Sequence, residues 1–123
     1  MQLNLERPDY TWYLRGAEGD HALVNDRIIR DSFVIAPDTL VENWPVTDAA
    51  RMLPSHLEPL LALEPELVLL GTGTTQVFPS PAVMAACLSR HLGIEVMTNA
   101  AAARTYSVLA GEGRRVVAGF VIG

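Results

Sequence analysis

Lysine is absent: all nine basic residues of the 123-residue chain are arginine. Schiff-base chemistry and the phosphate loop ending in Gly-Lys-Ser/Thr both need a lysine amine, so neither is open to this chain. Cysteine is nearly absent. Cys87 has no intrachain partner, whereas small secreted domains usually carry even cysteine counts. The three histidines, His21, His56 and His91, are scattered without ligand spacing such as His-x-x-x-His, which argues against a metal centre. Long apolar runs are missing as well. The stretch Val116 to Ile122 is far short of the roughly 20 residues that cross a bilayer. The start, Met1 to Pro8, has neither the basic and apolar regions of a secretory leader nor the arginine richness of a transit peptide. These absences lead us to expect a soluble cytoplasmic protein with no membrane span, no metal and no cofactor.

What is present suits a single domain over residues 1–123. Half of the residues are hydrophobic, and a chain of this length buries roughly two-thirds of its unfolded surface without needing disulfides. Charge is uneven: residues 1–66 hold twelve of the fourteen acids against five arginines, and residues 67–123 hold two acids against four arginines. No basic stripe emerges, which argues against nucleic acid as a partner.

Short antiparallel strands are expected in the first third, over Thr11–Leu14, His21–Val24, Arg27–Arg30 and Ser32–Ala36. Asn25-Asp26 and Pro37-Asp38 supply turns between them. A strand from Leu40 to Trp44 stops at Pro45, and Ser55 precedes a helix from His56 to Leu63. Leu67-Val68-Leu69-Leu70 is a continuous apolar run bounded by glycine, as expected of a strand covered on both faces. Ser80-Pro81 opens a helix to about Leu92, closed by Gly93. Ile94 to Met97 is a strand, Thr98 or Asn99 caps a helix from Ala100 to about Gly111, and Arg115 to Ile122 is the last strand. Strand and helix alternating in this way imply right-handed crossovers and an α/β fold with a mostly parallel core.

One place stands out as a candidate ligand site. Gly71-Thr72-Gly73-Thr74 lies between a strand and a helix, where backbone amides and a helix dipole can hold an anion. Gln76 stands where a dinucleotide loop needs its third glycine, so the glycines either make a tight structural turn or receive a smaller anion. Asn99 begins the last helix and should neighbour that loop, while Arg104, Thr105 and Tyr106 follow one turn on. Arg104 supplies a fixed positive charge if it reaches the crevice, and a capping or ion-pairing arginine if it does not. Cys87, among Val83, Met84 and Leu88, belongs to the core rather than to catalysis. The ring of Phe78 either plugs the crevice or protrudes toward a partner. No complete catalytic set is present.

Four segments together resemble a known family: Leu69-Leu70-Gly71-Thr72-Gly73, Gly93-Ile94-Glu95-Val96-Met97, Ala103-Arg104-Thr105-Tyr106 and Glu112-Gly113-Arg114-Arg115-Val116. They are similar to the small-domain family of mitochondrial NADH dehydrogenase (complex I) assembly factor 3 and the adipogenesis-associated cytoplasmic protein. The likeness runs from about Phe33 to Val121. It implies a three-layer fold with a central mixed sheet, helices on one side and additional antiparallel β structure from the N-terminal third on the other. It implies no established reaction; the mitochondrial members act through protein partners. After Arg104-Thr105-Tyr106 the family commonly has asparagine, and here Ser107 stands instead. The resulting expectation is a non-enzymatic protein-interaction or assembly-helper domain of bacterial type. A small anionic ligand in the crevice is the alternative, and self-association through an edge strand remains open.

Overall fold

The computed structural model describes residues 8–123. The expectation about a leader in residues 1–7 therefore lies outside the described residues. Among the described residues, two sheets are built from eight strands. Strands β1 (Leu14–Ala17), β2 (Ala22–Val24) and β3 (Arg27–Ile29) form an antiparallel meander. Strands β4 (Phe33–Ala36), β5 (Thr39–Glu42), β6 (Leu67–Gly71), β7 (Gly93–Met97) and β8 (Val116–Phe120) form the larger sheet in the order β5-β4-β8-β6-β7. There β6 runs parallel to both β7 and β8, and β4 runs antiparallel to β5 and β8. Two short 3-10 turns, Ala49–Arg51 and Pro54–Leu57, precede helix α1 (Glu58–Leu61), and helices α2 (Pro81–Leu88) and α3 (Asn99–Gly111) connect the parallel strands.

The apolar run of β6 divides as strand geometry requires, because successive side chains point to opposite faces. Leu69 joins Phe33, Ile35, Val116, Ala118 and Phe120 in one layer, covered by β1–β3 and by Ala102, Ala103 and Tyr106 of α3. Val68 and Leu70 join Val34, Val117 and Trp44 in the other, covered by Leu57, Leu60 and by Val83 and Cys87 of α2. The central mixed sheet and the antiparallel meander are present as expected; the helices, expected on one side, lie on both, because α3 shares its face of the sheet with the meander while α1 and α2 cover the other. Chain progress from β6 to β7 on one side, then to β8 on the other, makes the boundary between β6 and β8 a topological switch point.

Several boundaries differ from expectation, among them the helix expected over His56–Leu63, which is a 3-10 turn followed by Glu58–Leu61; two of the differences have clear local causes. The first strand begins at Leu14, not Thr11: the Trp12 N–H donates to the Pro37 carbonyl at 3.0 Å and the Tyr13 N–H to Asn25 Oδ1 at 2.9 Å, so those amides are engaged by a turn and a side chain. Helix α2 stops at Leu88. His91 takes a left-handed φ of 57° and the Leu92 N–H reaches back to the Cys87 carbonyl at 3.1 Å, so the helix is terminated ahead of Gly93.

Candidate functional site

The glycine loop leaves the carboxyl end of β6 at the switch point. Gly71 is close-packed: a Cβ there would meet Asn99 Oδ1 at 2.5 Å and the Phe120 ring at 2.9 Å. Gly73 holds φ at +102°, which only glycine adopts without strain. Thr98 rather than Asn99 is the cap of α3, its hydroxyl accepting from the Ala101 N–H at 3.3 Å. Asn99 is thereby freed to fill the switch point. It is fully buried; its Oδ1 accepts from the Gly73 N–H at 3.1 Å, and its Nδ2 donates to the carbonyls of Glu18 at 2.8 Å and Val121 at 2.9 Å. The Thr72 hydroxyl donates to the Thr75 carbonyl at 2.7 Å and accepts from the Val77 N–H at 3.0 Å. Gly71, Thr72, Gly73 and Asn99 are thus brought together, with their polar groups engaged by one another or by neighbouring residues of the protein. Thr74 is exposed beside Gly19.

The other candidates on α3 diverge from this cluster. Arg104 is exposed, with no ion pair or hydrogen bond to a described residue. The Thr105 hydroxyl donates to the Ala101 carbonyl at 2.9 Å. Tyr106 is fully buried, its hydroxyl donating to the Trp12 carbonyl at 2.7 Å, and burial pushes its phenol well above the ordinary tyrosine value. What remains open at the crevice is a hollow of about 120 Å³ lined by Glu18, Gly19, Gly73, Thr74, Thr98 and Ala100. That is room for about four waters at ~30 Å³ each, and less than the ~300 Å³ at which small-molecule sites begin. Among the described residues no cluster of three or more His, Cys, Asp or Glu side chains could hold a metal. Cys87 is buried, and desolvation raises its thiol pKa, the reverse of an activated nucleophile.

Residues 14–121 match the family described as "Protein of unknown function (DUF498/DUF598)". The chain belongs to this family. A solved Xanthomonas campestris protein is 56% identical with a TM-score of 0.84, over 100% of this chain and 93% of that one. A Bordetella pertussis protein described as an Mth938-like domain is 27% identical with a TM-score of 0.82, over 98% of this chain and 92% of that one. A protein of Francisella tularensis subsp. holarctica (strain LVS) named "13 kDa major membrane protein" is 31% identical over 71 residues. That match spans 58% of this chain and 58% of the relative's length.

Two further features of this DUF498 member were not singled out from the sequence. At the opposite end of the large sheet a cleft of about 820 Å³ is lined by residues that include Tyr10, Tyr13, Leu14, Pro37, Ala110 and Arg114. Its signal is dispersed over three chain segments, so no local motif announces it. The second is the outer face of α2. Pro81 to Leu88 contains no polar side chain, yet Pro81, Ala82, Ala85 and Leu88 all face outward while Val83 and Cys87 point to the core. Phe78, just before the helix, is 61% exposed, so of the two outcomes open to its ring it protrudes rather than plugging the crevice. No helix among the described residues is long and apolar enough to cross a membrane.

Proposed function

We propose that this chain is a non-enzymatic protein-interaction domain of the assembly-helper kind, which docks a partner protein through the outer face of α2. The observation that carries the reading is a helix without a polar residue, one side of which is open to solvent together with Phe78 and Leu88. A helix apolar on every side is normally covered on every side, and an outward aromatic beside aliphatic groups is the composition of an interface centre. Charge narrows the partner. The segment from Gly71 to Leu92 contains no acid and carries Arg90 near its end, so the fitting surface is apolar with acidic groups at its edge. The likeness to the family of complex I assembly factor 3, whose mitochondrial members act through protein partners, supports the same reading. Cys87, single and buried, suits a reducing cytoplasm, where we place the activity.

A photo-crosslinking residue installed at position 85 is expected to capture one protein in cells, while the same residue at position 104 on α3 does not. With that partner purified, Leu88→Asp is expected to weaken binding at least about tenfold. Equal capture at both positions, no adduct at position 85, an adduct of twice the chain mass, or binding indifferent to Leu88→Asp would each refute the reading.

A further inference from the structure

From the cleft at the far end of the sheet we infer a binding site for a small aromatic carboxylate. The cleft lies on the face covered by α3 and the meander, opposite α2, so this inference stands apart from the docking face. Its volume of about 820 Å³ falls within the ~300–1,000 Å³ of ordinary ligand sites. Leu14, Pro37 and Ala110 give it apolar walls, and the rings of Tyr10 and Tyr13 supply flat surface, which favours a planar partner.

The polar groups around the cleft separate into engaged and available. Arg115 is engaged: one terminal nitrogen pairs with Asp38 at 3.0 Å and Nε donates to the Leu63 carbonyl at 2.7 Å. The Ser107 hydroxyl donates to the Leu14 carbonyl at 3.3 Å. The hydroxyls of Tyr10 and Tyr13 and the guanidinium of Arg114 have no hydrogen-bond partner among the described residues. All three can donate, and Arg114 is permanently charged, so the complementary group is an acceptor carrying negative charge. Among the described residues lining the cleft, Asp9 is the one opposing acid. It is exposed, so water and salt screen it, and it disfavours a dianion more than a single carboxylate.

The backbone explains why Arg114 is held at this place. Helix α3 ends with the Gly113 N–H on the Ala110 carbonyl at 3.0 Å and the Arg114 N–H on the Leu109 carbonyl at 3.0 Å, with Gly113 at φ +79°. This stop satisfies the last carbonyls of the helix, which would otherwise repel an anion, and fixes Arg114 directly beyond it.

The test uses the full chain, titrated with sodium benzoate, benzamide and cyclohexanecarboxylate while backbone amides are followed by NMR. Benzoate is expected to shift the amides of Gly111, Gly113 and Arg114 saturably, with a Kd of about 1–10 mM as befits so small a probe. Benzamide, without the charge, and cyclohexanecarboxylate, without the flat ring, are each expected to bind at least about fivefold more weakly. Arg114→Ala should weaken benzoate about tenfold and Arg114→Gln similarly, whereas Arg104→Ala should leave it unchanged. Shifts confined to Gly73, Thr74 and Ala100, no saturation by about 50 mM, or benzoate binding unaffected by both Arg114 variants would overturn the inference.

Discussion

Asn99 and Arg104 lie on the same helix and have opposite relations to the fold. The Asn99 amide is buried with three partners, so truncation leaves one N–H and two carbonyls without theirs. Asn99→Ala is expected to cost ~2–4 kcal/mol in urea unfolding, because unsatisfied buried polar groups forfeit their desolvation energy. Arg104 is exposed and unpaired among the described residues, so Arg104→Ala should stay within about 0.5 kcal/mol. Tyr106 gives the fold a pH limit. Its phenol is held above the unfolded value of about 10, so its contribution is intact below that pH and falls as pH rises beyond it, where the unfolded chain sheds a proton the folded chain retains. Phenolate absorbance is expected to show Tyr106 ionising only together with global unfolding, and Tyr106→Phe is expected to lose the part of the phenolate signal that coincides with unfolding.

At the level of elements, β7 is an edge of the large sheet, and the sequence protects it. The exposed Gln76 donates from Nε2 to the Val96 carbonyl at 2.8 Å, occupying an acceptor that would otherwise welcome another strand, and Glu95 puts an exposed charge on the same edge. Gln76→Ala combined with Glu95→Val is expected to convert a concentration-independent light-scattering mass into one that grows with concentration. Strands such as β6 were legible because a continuous apolar run has one simple explanation, burial on both faces. The start of β1 was not, since the groups that take up the Trp12 and Tyr13 amides come from Pro37 and Asn25, distant in sequence. The same limit applied to the crevice. The glycines and Asn99 could be placed together from the alternation of strands and helices, but the occupation of the space by the Asn99 amide depends on the Glu18 and Val121 carbonyls, which no local pattern announces.

Over the whole molecule, one sheet carries two apolar layers, and each holds one tryptophan: Trp12 packs against the layer of Leu69, and Trp44 lies in the layer of Leu70. Leu69→Ala and Leu70→Ala should each cost ~2–5 kcal/mol. Because the layers share every central strand, fluorescence of single-tryptophan variants retaining Trp12 or Trp44 is expected to report the same midpoint as circular dichroism within each protein. Asn99 adds a lengthwise tie to this sandwich. Its amide bonds the carbonyl of Glu18 near one terminus and that of Val121 near the other, while holding the Gly73 N–H between them. Segments joined through one interior side chain cannot open separately, so deuterium uptake at the Gly73 amide should proceed only at the rate of complete opening, making that single proton a gauge of the molecule's global free energy.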